Sequence, residues 1–162
     1  MNQELEKRVQ RAVSLFMEGY GCGQSVAAAF ADLYGFTEKQ ALKLGSGFGG
    51  GVGKMRMMCG AVSGLVILAG MAEGNEEPSR EGKAECYKVV QELVESFRKE
   101  NGSIVCAELL GLKGPIPKGD FTPSERNARY YEIRPCAAKV ESAARIFAEW
   151  LEGKNDKFLK II

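Results

Sequence analysis

The sequence predicts an all-α protein, a compact helical bundle that forms a single domain over residues 1–162. Apolar residues recur at helical spacing in several segments, and glycine, proline and capping residues separate these segments. No segment alternates apolar and polar residues as a half-buried strand would. Of the 162 residues, 45% are hydrophobic and 27% are charged. A chain of this size and composition can bury a core without cross-links.

The first part of the chain predicts three helices. Residues 3–19 place an apolar stripe at helical spacing, and the glycines that follow end this helix. Cys22 opens a second helix, which ends near Gly35, a left-handed cap. Thr37 begins a short third helix, because Gln40 stands three residues later in the spacing of a capping box.

A glycine-rich loop and two longer helices follow. Residues 45–53 contain six glycines, so their backbone is expected to adopt unusual dihedral angles or to approach another group closely. A fourth helix is predicted over about residues 55–72. It contains the segment Cys59-Gly-Ala-Val-Ser-Gly64, in which two glycines four residues apart allow close packing. A fifth helix covers residues 79–100 and ends at Asn101-Gly102.

The last third of the chain predicts shorter elements before a final helix. Ser103 caps a short helix that carries Cys106. Residues 112–123 hold three prolines and two glycines and are predicted to form a loop. Residues 124–132 form one or two helical turns. The final helix covers residues 135–151, with its proline at the first helical position.

Four of the five cysteines lie at predicted helix starts: Cys22, Cys59, Cys106 and Cys136. The partial positive charge and unpaired N–H groups of a helix start favour thiolate over thiol. Two interpretations remain open. The cysteines are small buried core residues, or the helix starts converge on one pocket that holds four sulfur atoms. Cys86 lies inside the fifth helix and is predicted to be a buried structural thiol.

Charged residues near two of these cysteines carry a further expectation. Lys54 and Arg56 precede Cys59, and Arg134 precedes Cys136, so these cations either favour thiolate there or are solvated surface charges. A second charged group is expected to form a solvated face. Its members are Asp120, Glu125, Arg126, Arg129 and Glu132.

The composition excludes several classes of function. The chain has no histidine, so it can contain no Ser-His-Asp triad, Cys-His dyad, His-ligated zinc or c-type haem attachment site. The glycine loop follows a helix rather than a strand, which argues against a dinucleotide site. Its main-chain N–H groups are instead expected to approach a thiolate or a cluster. The glycines predicted to bind a cofactor are Gly49, Gly50, Gly51 and Gly60.

The segment Cys59-Gly-Ala-Val-Ser-Gly64, with Cys22 before it and Cys106 and Cys136 after it, resembles the C_GCAxxG_C_C family of redox-active proteins. The resemblance covers about residues 10–150. It implies a redox role, with the four cysteines as a cluster site or as dithiol pairs. A similar domain occurs in split-Soret-type cytochromes, but this chain lacks the histidines for their haem ligation. Family members are often associated with transporter genes, which implies metal or metalloid handling.

The expected function is therefore redox chemistry at these four cysteines. They either ligate an iron–sulfur cluster, most simply [2Fe–2S], for electron transfer, or act as redox dithiols. The alternative is a carrier or sensor that binds Zn²⁺, Cu(I) or a thiophilic metalloid without redox turnover. A third possibility is a helical interaction protein with merely buried cysteines.

The surroundings of the protein can also be predicted from the sequence. The near-neutral net charge of +1 argues against nucleic acid. The longest apolar run, of 16 residues, is too short for a membrane span. The charged N-terminus lacks a signal peptide's apolar core, which favours the cytoplasm. The sequence does not identify a redox partner protein, and a homodimer is compatible with an electron carrier that needs an exposed edge near its site.

Overall fold

The computed structural model describes the backbone of residues 1–159 and the side chains of residues 1–154. These residues form eight α-helices and no strand, which confirms the all-α class. The helices are α1 (Gln3–Met17), α2 (Cys22–Ala28), α3 (Glu38–Gly45), α4 (Gly60–Glu73), α5 (Arg80–Asn101), α6 (Cys106–Leu109), α7 (Ala128–Ile133) and α8 (Cys136–Leu159). None of them is long and apolar enough to cross a bilayer.

The core lies between α1, α2, α4, α5 and α8. Its largest fully buried side chains are four phenylalanines: Phe16, Phe30, Phe97 and Phe147. The rings of Phe30 and Phe147 meet edge to face with centroids 5.1 Å apart, so α8 packs against the end of α2. Helices α2 and α4 approach closely at Gly64, where an added Cβ atom would lie 2.6 Å from the Cβ atom of Val26.

Several helix ends lie where their capping residues predict them. Thr37 and Gln40 form the capping box of α3, and Gly102 ends α5 in the left-handed conformation. Gly35 also has a left-handed conformation, but it caps a separate 3-10 turn over Ala31–Tyr34, because α2 ends earlier, at Ala28. The prediction of Ser103 as the cap of α6 was wrong. The N-cap is Val105, whose N–H donates to the Ser103 hydroxyl at 3.0 Å.

The start of α4 differs most from its prediction. The helix begins at Gly60 rather than near residue 55, and Cys59 is its N-cap. Met58 forms an isolated antiparallel bridge with Val105. The Cys59 N–H donates to the Ile104 carbonyl at 2.7 Å, and the Cys106 N–H donates to the Met57 carbonyl at 2.6 Å. These main-chain hydrogen bonds hold the segment before Cys59 in an extended conformation, which a helix cannot continue through.

The glycine loop contains a left-handed stretch. Gly50 to Lys54 all have positive φ angles, including Val52 at 63° and Lys54 at 64°. A β-branched residue in this region is a genuine outlier, and such backbone strain concentrates at functional sites. Hydrogen bonds from later main-chain N–H groups support the stretch, among them Gly53 to Gly47 at 2.8 Å and Met57 to Gly51 at 2.9 Å.

Candidate functional site: four cysteines around one cavity

The four predicted site cysteines line a single cavity of about 640 Å³. Three of them are the first residues of helices α2, α6 and α8, and the fourth is the N-cap of α4. The four helix starts therefore converge, as one of the two open interpretations of the sequence required. All five cysteines of the chain are free thiols, and Cys86, which is partly buried on α5, is not among the residues that line this cavity.

Cys22 and Cys136 form a hydrogen-bonded pair. The Cys22 thiol donates to the Cys136 sulfur, and this bond, with the nearby Arg134 and Arg126 guanidinium groups and a hydrogen bond from Tyr130, lowers the pKa of Cys136 to about 6. The same bond, together with burial and the charge of Cys136, raises the pKa of Cys22 well above its ordinary value. Cys136 is therefore the more acidic thiol of the pair and Cys22 the less acidic one.

Cys59 and Cys106 lie on neighbouring extended segments. Both flank the Met58–Val105 bridge, each one residue after a bridge residue. Because side chains alternate along extended chain, both cysteines project to the face opposite the two bridge side chains. Both are almost fully buried, with exposed fractions of 6% and 9%. The main-chain hydrogen bonds across the bridge therefore hold this second pair of thiols on one side of the cavity.

Of the alternatives left open for Cys59, the structure does not favour the thiolate. Burial raises its pKa to about 11, although the N–H groups of Ala61 and Val62 at the start of α4 donate to its sulfur and oppose this rise. Here the cost of burying a charge exceeds the stabilisation by the helix start. Arg56, for which thiolate stabilisation at Cys59 and a solvated surface position were both open, lies with its Nη1 atom 3.8 Å from the Cys106 sulfur.

The four glycines predicted to bind a cofactor, Gly49, Gly50, Gly51 and Gly60, also line the cavity. Two of them allow close approach to a cysteine. An added Cβ atom at Gly60 would lie 3.0 Å from the Cys22 Cβ atom, and one at Gly51 would lie 2.6 Å from the Cys106 Cβ atom. Gly51 and Gly60 thus leave space for the side chains of Cys106 and Cys22. The binding of a cofactor by the four glycines stays a prediction.

Positive charge surrounds the cavity. Within the described part of the chain, five cationic residues and no acidic residue line it, and the cationic residues are Lys54, Arg56, Arg126, Arg134 and Lys139. The expectation that Arg126 belongs to a solvated face was wrong. Its guanidinium lies 4.4 Å from the Phe16 ring centroid and 4.6 Å from that of Tyr130, and it donates to the main-chain oxygens of Phe16 and Tyr20 at 3.2 and 3.1 Å.

Sequence reasoning missed Tyr130 and Lys139 as residues of this site. Tyr130 lies on α7 and donates to the Cys136 sulfur. Lys139 lies on the first turn of α8, where its ammonium donates to the Asn101 side chain at 2.9 Å. The one available signal was position, because Lys139 stands three residues after Cys136 and therefore on the same side of the helix.

The thiols suit an iron–sulfur cluster or a soft metal ion in chemical type, since thiolate is the ligand that both prefer. The four thiols are, however, not grouped closely enough to coordinate one metal ion together. In the part of the chain that the structure describes, no three cysteine, aspartate or glutamate side chains are grouped so that they could hold a metal ion. The four sulfur atoms thus line the cavity without forming a closed metal cage.

Comparison with known proteins agrees with the resemblance noted in the sequence. The model of the family described as "Putative redox-active protein (C_GCAxxG_C_C)" matches residues 20–150, which include all four site cysteines. No curated protein and no solved structure shows a significant match to the chain. The matched region is most of the 162 residues, and this chain therefore belongs to the C_GCAxxG_C_C family of redox-active proteins.

Proposed function

We propose that this protein is a thiol–disulfide redox protein in which Cys136 is the attacking thiol and Cys22 is the resolving thiol. The observation that carries the proposal is the hydrogen-bonded thiol–thiolate pair at the cavity. The thiolate is the nucleophile in disulfide exchange, and attacking thiols work best when their pKa lies near ambient pH. Cys22 and Cys136 lie at the starts of α2 and α8 in the wall of one cavity, where an S–S bond of ~2.05 Å would join them.

The pair also supports a defined order of steps. The pKa of Cys22 is raised first of all by its hydrogen bond to Cys136, and the charge of Cys136 adds to this rise. When Cys136 enters a mixed disulfide, its sulfur loses that negative charge, and both effects disappear. Arg126, which lowers the pKa of Cys22, remains in place. Burial still raises the pKa of Cys22, but the loss of these two effects makes Cys22 easier to deprotonate after Cys136 has reacted, as a resolving thiol requires.

Cys59 and Cys106 supply a second dithiol in this proposal. They are positioned by the main-chain bridge rather than by a helix start alone. The charges of both Cys106 and Cys136 act on Cys59, so this thiol is coupled to its own partner and to the first pair. Its raised pKa makes Cys59 a poor initial nucleophile. The second pair would therefore receive a disulfide from the first pair by exchange rather than attack a substrate itself.

The test is to oxidise the purified protein in redox buffers of defined potential and to map its disulfides by mass spectrometry. We expect a Cys22–Cys136 disulfide to form reversibly in the wild-type protein and in the matched control Cys86→Ser. Cys22→Ser and Cys136→Ser should each abolish it. The proposal would be wrong if both cysteines of the pair stayed reduced at every potential while the other thiols oxidised.

A second candidate is the binding of an iron–sulfur cluster by the same cysteines. It is supported by the fact that all four thiols line one cavity with a cationic, carboxylate-free lining, since a cluster held by four thiolates is anionic. Anaerobic purification followed by iron and sulfide analysis tests it. Stoichiometric iron and sulfide that require all four cysteines would favour the cluster over the dithiol. Titration with Zn²⁺ and Cu(I) tests the alternative of a soft-metal carrier in the same way.

A further inference from the structure

We infer that the cavity binds a small disulfide that bears carboxylate groups, and that the cationic side chains of the lining hold those carboxylates while the dithiol reduces the disulfide. This inference rests on the proposed dithiol function and names its class of substrate. It is carried by three observations: the charge of the lining, the arrangement of the cationic groups, and the size and depth of the cavity.

The lining has a surplus of permanent positive charge. Of its five cationic residues, Lys54 pairs with Asp120 at 2.8 Å. Among the described residues, no carboxylate forms an ion pair with the other four, Arg56, Arg126, Arg134 and Lys139. The Cys136 thiolate balances one of these charges. A walled cleft lined by one sign of charge concentrates ligands of the opposite sign, so the cavity favours an anion.

Two of these cations, Arg126 and Arg134, lie near the reactive pair and keep donors for a ligand. Arg126 is fixed by two main-chain oxygens and by the rings of Phe16 and Tyr130. Arg134 lies 5.3 Å from the Tyr130 ring centroid and donates to Ser124 at 3.3 Å. A guanidinium has five N–H donors, so each arginine retains some for a carboxylate. All the lining cations are partly buried, which strengthens their charge interactions.

The size and depth of the cavity favour a small molecule over a protein substrate. A volume of about 640 Å³ falls within the range of small-molecule sites. The reacting thiols Cys22 and Cys136 are half-buried in the wall of this cavity, so a substrate disulfide has to enter the cavity to reach them. The wall also contains Leu109, Leu110 and Phe121, which suits a ligand with an apolar sulfur-bearing centre between two charged ends.

The reaction balances with the substrate as the oxidant. The Cys136 thiolate attacks one sulfur of the disulfide R–S–S–R, which forms a protein–S–S–R mixed disulfide and releases one thiolate RS⁻. Cys22 loses its proton and attacks the Cys136 sulfur, which forms the Cys22–Cys136 disulfide and releases the second RS⁻. The proton from Cys22 converts one released thiolate to RSH. Two electrons pass from the protein dithiol to the substrate, and no other co-reactant is needed for one turnover.

The test uses three disulfides of similar size and different charge with the reduced full-length protein. The probes are 3,3′-dithiodipropionate, which is dianionic, bis(2-hydroxyethyl) disulfide, which is neutral, and cystamine, which is dicationic. Single-turnover rates are measured as formation of the Cys22–Cys136 disulfide. Each rate is divided by the rate of the same probe with 2-mercaptoethanol, so that differences in intrinsic reactivity cancel.

We expect the normalised rate of the dianion to exceed that of the neutral probe by about tenfold or more at low ionic strength, with the dication slowest. The dianion's advantage should shrink between about 20 and about 500 mM salt. Arg134→Gln and Lys139→Gln should each reduce the ratio of the dianion rate to the neutral rate several-fold, whereas the matched control Lys88→Gln, an exposed lysine on α5, should leave it unchanged. The ratio is used because Arg134→Gln also changes the reactivity of Cys136 toward every probe.

Three results would each overturn a different part of the proposal. Equal normalised rates for the three probes in the wild-type protein would refute the anionic substrate class and leave the dithiol function standing. A ratio unaffected by either cavity variant would refute the role given to the cationic lining. Failure of all three probes to form the Cys22–Cys136 disulfide would refute the proposed function itself.

Discussion

The closest packing between the glycine loop and the site occurs at Gly51, and two matched substitutions measure its energy. Gly51 and Gly53 both have positive φ angles, of 70° and 54°. They differ in their surroundings. An added Cβ atom at Gly51 would lie 2.6 Å from the Cys106 Cβ atom and 2.7 Å from the Met57 nitrogen, whereas one at Gly53 would meet no atom within 4 Å. Gly53→Ala therefore changes the backbone preference alone, and Gly51→Ala changes the packing as well.

The expected magnitudes follow from this difference. A left-handed conformation costs an alanine roughly 1–2 kcal/mol in free energy of unfolding, and both variants bear that cost. Overpacking adds typically ~1–3 kcal/mol at Gly51 alone. Gly51→Ala should therefore be less stable than Gly53→Ala by roughly 1–3 kcal/mol. For a chain of this length each kcal/mol lowers the melting temperature by about 2–4 °C.

The assay is urea denaturation followed by far-ultraviolet circular dichroism, with thermal melts as a second measurement. A larger loss at Gly51 is expected to come with faster alkylation of Cys106, because the added methyl group pushes that residue away from the loop. Equal losses of stability in the two variants would refute the close packing of the loop against Cys106.

The other predictions concern the reactive pair and the packing of α2 against α4. The rate of Cys136 alkylation by iodoacetamide should rise with pH through a midpoint near 6, the pKa of this thiol. Cys22→Ala should move that midpoint upward, because the interaction with Cys22 that lowers the pKa is lost. Peptide mapping after alkylation identifies the residue, and a midpoint near 9 in both proteins would contradict the pairing. Gly64→Ala should lower the free energy of unfolding by ~1–3 kcal/mol because its Cβ atom would lie 2.6 Å from the Val26 Cβ atom. Gly70→Ala on the same helix, with no atom within 4 Å, should raise it by roughly 0.5–1 kcal/mol, and chemical denaturation of both variants checks the difference.

The helix ends that the sequence predicted correctly are those determined by local interactions. Thr37 with Gln40 and the left-handed Gly102 act within a few residues of the end that they define. The start of α4 was misplaced because it depends on a distant segment. Hydrogen bonds to residues 104–106 keep the residues before Cys59 extended, and no pattern within residues 55–59 reports that pairing.

The same distinction applies to the site. The positions of the cysteines at helix starts could be recognised from neighbouring glycine and proline residues, and the structure brings all four to one cavity. Their protonation could not be predicted this way, since the pKa of Cys59 depends on burial and that of Cys136 on a hydrogen bond from Cys22. Arg126 is likewise positioned by the main-chain oxygens of Phe16 and Tyr20, which are remote in sequence.

The Cys22–Cys136 contact has a consequence for biosynthesis. One partner begins α2 and the other begins α8, so residues 22 to 136 must all have left the ribosome before the two sulfur atoms can meet. Until then the hydrogen bond that acidifies Cys136 does not exist, and the nascent chain presents ordinary, sluggish thiols to oxidants. The reactivity of Cys136 toward oxidants therefore develops only when the chain has folded, which limits disulfide formation in the nascent chain.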